Sequence, residues 1–369
     1  MQVLRPLSQP RETMKPLVMP YLGYGTPSEI YMKGRVLTDN GITAAQDTDP
    51  FYVNVRNMYK RYIREAIPNA LVRARFGDVQ HEMLTDTNGY FNLHLSFNPP
   101  HQFQGDWFDI ALELIRYPGQ PPSTDTEPSE STVITQKILI PCADAQYGVI
   151  SDIDDTVMRT DILNVFRMIG NTFFYNALTR LPFKGVAAFY DALRAGTVPN
   201  VTNPIFYVSN SNWVLYDVIA DFFVARGIPS GPLFLSDTGV LHTASNHNYK
   251  LGVIQRLLDI YEPLPFILIG DSGQRDPETY LEVVQNNPGR IKTIYIRDIT
   301  GRRRAVQIKA VIAQVKELGV EMLFVNDTGI ASDHALQHGY ILPQAVPAIE
   351  QERKKDESTP TPASNPTGA

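Results

Sequence analysis

Along the first third of the chain, apolar and polar positions alternate in short runs, the period that a half-buried strand requires. Tyr31-Met32-Lys33-Gly34-Arg35-Val36-Leu37 and Leu71-Val72-Arg73-Ala74-Arg75-Phe76 show it clearly, and residues 107–117 and 133–140 supply two more strands. Asn88-Gly89 stands between the strand-like runs 81–84 and 90–95, a spacing that predicts a hairpin. Residues 50–67, with Tyr52, Val53, Val55, Met58, Tyr59, Tyr62 and Ile63, read as a helix inserted among the strands. The prediction for residues 29–141 is a small antiparallel β-sandwich, of prealbumin-like pattern. Residues 1–28 read as a leader or strap, and 118–131, rich in Pro, Ser and Thr, as a loop.

The pattern changes after residue 142. Continuous apolar runs at 148–151, 205–209, 233–235, 266–270, 291–297 and 322–326 alternate with helical stretches, as in a parallel sheet covered by helices. This gives an α/β domain over 142–345, and the polar stretch 346–369 reads as a disordered tail.

Composition narrows the possibilities. A chain of 369 residues with 43% hydrophobic residues can build about two cores. A formal net charge of -6 argues against general affinity for nucleic acid. The single cysteine, Cys142, excludes an intramolecular disulfide framework and fits a reducing compartment such as a cytoplasm. No signal peptide and no spanning segment are expected, while peripheral contact with a membrane stays open.

The candidate chemistry sits where the first apolar run of the second domain ends, in Ser151-Asp152-Ile153-Asp154-Asp155-Thr156. Side chains two apart on a strand share a face, so Asp152 and Asp154 can converge on one ligand. The bland reading is a capped turn, since Asp and Thr are common there. Later strands and helices add matching chemistry: Ser209 and Asn210 end one strand, Lys250 opens a helix expected at 251–260, and Asp271 and Asp276 follow another strand. Each alone has an ordinary explanation, a cap, a surface lysine or a turn; their order along a strand-helix alternation favours a common site.

Asp152-Ile153-Asp154-Asp155-Thr156 resembles the first motif of haloacid dehalogenase-like phosphohydrolases. Together with Tyr207-Val208-Ser209-Asn210-Ser211 and Gly270-Asp271-Ser272-Gly273-Gln274-Arg275-Asp276-Pro277-Glu278, the resemblance narrows to the actin-patch-associated phosphatidate phosphatases and their bacterial relatives, over residues 148–335. A departure is Asn212 before Trp213, where Pro is commoner. The resemblance implies a Rossmann-like fold and a Mg²⁺-dependent phosphatase converting phosphatidate to diacylglycerol through an aspartyl phosphate. It further implies that Asp152 is the nucleophile, Asp154 the acid and base, and Ser209 and Lys250 the stabilisers of phosphoryl charge. Asp152, the Asp154 carbonyl and Asp271 would hold the metal, with Thr156, Asn210 and Asp276 as secondary candidates.

A phospholipid needs an apolar approach and a cationic rim. Residues 162–183 are strongly apolar and read as either buried helices over the sheet or a lipid-facing lid. Arg297, Arg302, Arg303, Arg304 and Lys309 form the densest basic cluster, more simply read as a solvated helix start. His334 and His338, four apart on a helix, lack an evident third ligand and read as structural. Two other functions compete: a phosphatase of a soluble phosphomonoester or phosphoprotein, and a phosphatidate-binding module without catalysis.

Overall fold

The computed structural model describes residues 15–39, 64–103, 105–119, 133–153, 185–237, 243–299 and 302–358. The chain divides into two compact units. The first comprises Met1–Gly23, Ile30–Leu95 and Asp109–Lys137, and the second Tyr24–Glu29, Ser96–Phe108 and Ile138–Ala369.

Eight strands form the antiparallel sheet: β1 (Pro16–Pro20), β2 (Gly23–Thr26), β3 (Glu29–Thr38), β4 (Leu71–Phe76), β5 (Val79–Leu84), β6 (Tyr90–Ser96), β7 (Trp107–Arg116) and β8 (Val133–Leu139). Their order is β1-β3-β2-β8-β7-β4-β5, with β6 also paired to β3. The expected sandwich is thus one continuous hydrogen-bonded sheet, because β3, ten residues long, is shared by three partners. Three local expectations change. The segment read as a leader contributes β2 and also β1, an edge strand whose register runs from Pro16↔Thr38 to Pro20↔Gly34. An edge tolerates prolines because part of its ladder is unused. Asn88-Gly89 does not join a hairpin, since β5 pairs with β4 and β6 with β3. Asp86 closes that turn itself, its Oδ1 accepting the Asn88 and Tyr90 amides, and the two-residue hairpin lies at Gly77-Asp78, where Gly77 has φ +56°. Of the helix expected over 50–67, residues 50–63 lie outside the described residues. Residues 64–67 are extended, Ala66 bridging Leu37 and the Ile67 amide donating to Val36.

In the second unit, β9 (Gly148–Asp152), β10 (Ile205–Asn212), β11 (Leu233–Ser236), β12 (Phe266–Asp271), β13 (Ile291–Arg297) and β14 (Glu321–Val325) form a six-stranded sheet in the order β11-β10-β9-β12-β13-β14. Every pairing is parallel. The helices are α1 (Val186–Ala195), α2 (Tyr216–Arg226), α3 (Thr243–Ile260), α4 (Asp276–Asn286), α5 (Arg302–Glu317), α6 (Thr328–Gln337) and α7 (Val346–Ser358). Strands β9 and β12 are buried at every position, which is why their sequences are continuously apolar instead of alternating. Close packing also fixes Gly148, where a Cβ would stand 2.3 Å from Phe266 Cε1.

The predicted disordered tail is helical up to Ser358. Helix α7 packs on α1 and α6, Ile349 is 1% exposed, and Glu352 Oε2 accepts the Ala188 amide at 2.7 Å. One buried aliphatic residue and a cap for a neighbouring helix anchor a segment whose polar composition hid them.

Candidate active site

Strand β9 lies between β10 and β12; the strands that follow it build outward through β10 and β11 on one side, and β12, β13 and β14 are then added on the other. The carboxyl ends at such a switch point form a crevice, the usual ligand site of an open parallel sheet. Asp152 ends β9 in register with Val208, so Ser209 lies one residue beyond it on β10, and Asp271 ends β12.

Lys250 reaches this crevice from the body of α3. The helix begins at Thr243, earlier than the sequence pattern suggested, so Lys250 sits two turns inside it. Its Nζ lies 2.8 Å from Asp152 Oδ1 and 2.6 Å from Asp276 Oδ1. All three side chains are 3% exposed or less. Asp276 Oδ2 accepts the Asp271 amide at 3.1 Å, and Asp271 Oδ1 accepts the amides of Gly273 and Gln274 at 2.7 and 3.2 Å. Gly270 makes room for this arrangement, since a Cβ there would meet Asp276 Oδ2 at 2.5 Å. Asp276 therefore holds Lys250 and the β12 terminus, and its own oxygens are turned towards protein.

Two carboxylates share one lysine, and Asp271 adds a third charge nearby. Burial pushes the Asp152 carboxyl well above its ordinary pKa, the Asp276 charge adds to the rise, and Lys250 opposes it. For Lys250, burial alone would lower the pKa, but Asp152 and Asp276 outweigh it and keep the ammonium charged. Lys250 lies beside Asp152 Oδ1, and no other donor among the described residues meets an Asp152 oxygen; Asn210 Oδ1 is likewise buried with no partner among them. Buried oxygens left in this state, beside the Asp271 carboxylate, are the hard donor set that a Mg²⁺ ion takes, so the residues present fit that ion.

The second motif is ordered by its own side chains. Ser209 is fully buried and its Oγ accepts the Ser211 amide at 3.1 Å, while Asn210 Nδ2 lies 3.5 Å from Gln274 Oε1. Asn212, standing where Pro is commoner, caps the short 3₁₀ turn Trp213–Leu215 by accepting the Val214 amide at 3.0 Å. Asp154 and Thr156, like the apolar segment 162–183, lie outside the described residues.

Two supporting residues were not picked out as site residues from sequence. Tyr190 of α1 is buried with its hydroxyl 2.6 Å from Ser151 Oγ, which donates to the Asp152 carbonyl at 3.0 Å. Arg304 of α5 forks onto Glu278, and its Nη2 donates to the Gln274 carbonyl at 2.8 Å. It clamps the loop after Asp271, so this member of the basic cluster faces protein. Only the run of arginines marked the place; its partner could not be read from spacing.

A parallel sheet gathering acids, a buried hydroxyl and a charged lysine at its carboxyl edge defines an α/β protein with an acid-lysine centre. Residues 147–298, which contain that centre, match the family described as phosphatidate phosphatase APP1, catalytic domain. Over 154 residues it is 33% identical to phosphatidate phosphatase APP1 of Saccharomyces cerevisiae, covering 41% of this chain and 25% of the yeast protein. It is 26% identical over 223 residues to an uncharacterized protein of Schizosaccharomyces pombe, covering 58% of this chain and 34% of that one. The matched region is thus a quarter to a third of the curated relatives' length. Among solved structures, a carbohydrate acetylesterase from Xanthomonas citri aligns at 10% identity and a TM-score of 0.28 over 85% of this chain and 69% of that one, a likeness too weak to carry an argument. Among the described residues no helix is long and apolar enough to cross a membrane.

Proposed function

We propose that this chain is a phosphoric monoester hydrolase of haloacid dehalogenase-like architecture that releases phosphate from phosphatidate. The observation that carries the proposal is the buried Lys250 between Asp152 and Asp276, with no other donor among the described residues on the Asp152 oxygens, inside the segment that matches the phosphatidate phosphatase family. A buried carboxylate beside a fixed cation suits attack on an anionic phosphorus centre, because the cation offsets the charge that would repel the nucleophile.

In this reading an Asp152 oxygen forms a bond to phosphorus as the bond to the glycerol oxygen breaks, and Asp154 gives that oxygen its proton. Water then attacks the aspartyl phosphate, losing a proton to Asp154, and phosphate leaves with the Asp152 carboxylate restored. Lys250 and Ser209 hold the phosphoryl oxygens throughout, and Asp276 fixes where Lys250 points. Asp152, Asp271 and the Asp154 carbonyl would bind Mg²⁺, which when present offsets the charge crowded between phosphate and acids. Acting on a lipid, the protein works in a cytoplasm in peripheral contact with a membrane.

The test is phosphate release from phosphatidate in mixed micelles and from water-soluble phosphomonoesters, with Mg²⁺ and with a chelator. Activity on phosphatidate that needs Mg²⁺ and is lost in Asp152→Asn is the expected result. Faster turnover of soluble esters would move the substrate to that class, and tight lipid binding with no turnover would leave a binding module.

A further inference from the structure

At the other end of the parallel sheet, β14 begins with Glu321, and α6 brings two histidines over it. His334 Nε2 lies 2.8 Å and His338 Nε2 3.2 Å from the same oxygen, Glu321 Oε2. The two rings stack with centroids 4.0 Å apart, as one helical turn allows. Both remaining ring nitrogens are engaged by protein: His334 Nδ1 meets the Tyr295 hydroxyl at 2.9 Å, and His338 Nδ1 meets the His334 carbonyl at 2.9 Å.

Those partners settle part of the protonation. A carbonyl only accepts, so His338 Nδ1 carries a proton and donates it. In the neutral ring, Nε2 is then a lone pair, and it points at a carboxylate oxygen. A ring nitrogen lone pair and a carboxylate oxygen facing each other at this distance can share a metal ion. Tyr295 can accept as readily as donate, so His334 can also free its Nε2 for a metal. Fixing Nδ1 on a carbonyl or hydroxyl while Nε2 faces outward is how metal-binding histidines are oriented.

We propose that Glu321, His334 and His338 bind a zinc-class dication, separate from the acid-lysine centre. The three ligand atoms lie within 4.8 Å of one another. Ligands on a tetrahedral zinc, with bonds of ~2.0–2.2 Å, are separated by roughly 3.4 Å, so a small withdrawal of Glu321 admits the ion. The Glu321 and His338 side chains are 61% and 40% exposed, which leaves water access for a fourth position. Two nitrogens and one oxygen select this class over Mg²⁺ or Ca²⁺, which prefer oxygen alone. The ion ties the last turn of α6 to the first residue of the edge strand β14.

Full-length protein stripped with a chelator is dialysed against Zn²⁺ in millimolar Mg²⁺, with bound zinc and thermal midpoint as readouts. Wild type and Asp271→Asn should each hold about one zinc at this site and gain thermal stability from it, whereas His338→Ala and Glu321→Gln should lose at least tenfold in affinity and lose the gain. Circular dichroism on these two exposed-site variants checks that they fold. Equal zinc affinity in wild type, His338→Ala and Glu321→Gln would overturn the site, as would zinc binding that disappears in Asp271→Asn.

Discussion

Asp276 Oδ1 holds Lys250 Nζ at 2.6 Å, in a position where both groups are 3% exposed or less. The lysine of this centre is thus aimed by an acid that is spent on protein contacts, leaving the Asp152 oxygens with Lys250 as their one donor among the described residues. Removing the cation leaves buried carboxylates facing each other. Lys250→Met is expected to cost about 3–5 kcal/mol in urea unfolding, the range for breaking a buried ion pair, and to abolish phosphate release. A stability loss under about 1 kcal/mol would mean that water solvates the cluster.

Gly270 is the glycine on which this geometry depends. Gly270→Ala puts a methyl group 2.5 Å from Asp276 Oδ2 and 2.9 Å from Tyr280 Cε2, so Asp276 must move. The expected cost is about 1–3 kcal/mol, with a fall in turnover larger than that loss of stability explains at assay temperature. Comparing folded fraction and turnover for this variant checks it.

The clamp between Arg304 and Glu278 should fail in acid. Partial burial would raise the Glu278 pKa, but the Arg304 hydrogen bonds outweigh it and the carboxyl is held below its ordinary 4.5. A depressed acid contributes stability above its unfolded pKa and loses it as pH falls through the folded value. The pair is about a quarter exposed, so its contribution is on the order of 1 kcal/mol. Wild type should therefore be more stable than Glu278→Gln at neutral pH, with the difference fading below pH 4.5. A difference independent of pH in thermal melts would rule the clamp out as its source.

Helix α7 supplies a packing test. Ile349 is 1% exposed, and Ile349→Ala should destabilise the second unit by about 2–5 kcal/mol by leaving a cavity. No change in thermal midpoint would mean that α7 does not dock through this residue.

The parallel strands of the second unit were legible because each is buried on both faces, and burial writes a continuous apolar run into the sequence. Asp152, Ser209 and Asp271 were legible for the same reason, being the polar residues at or just beyond those runs. Type and order single out Lys250, but the apolar pattern places its helix at 251–260 while the helix begins at Thr243, since residues 243–249 are mostly polar and carry little period. The Asn88-Gly89 hairpin failed because Asp86 closes the turn with its own carboxylate and the strands on either side pair elsewhere. Helix α7 was missed because one buried isoleucine in a charged stretch leaves almost no signal.

The sequence by itself determined which residue types stand at the strand ends and in what order, because local period and turn chemistry are properties of neighbouring residues. Tertiary structure alone decided who partners whom: that Asp276 turns from ligand space to hold Lys250, that Arg304 grips the Gln274 loop, and that Glu321 becomes the third group beside His334 and His338. Each of those pairs is separated by at least thirteen residues in the chain, and only the packing of helices on a sheet sets such distances.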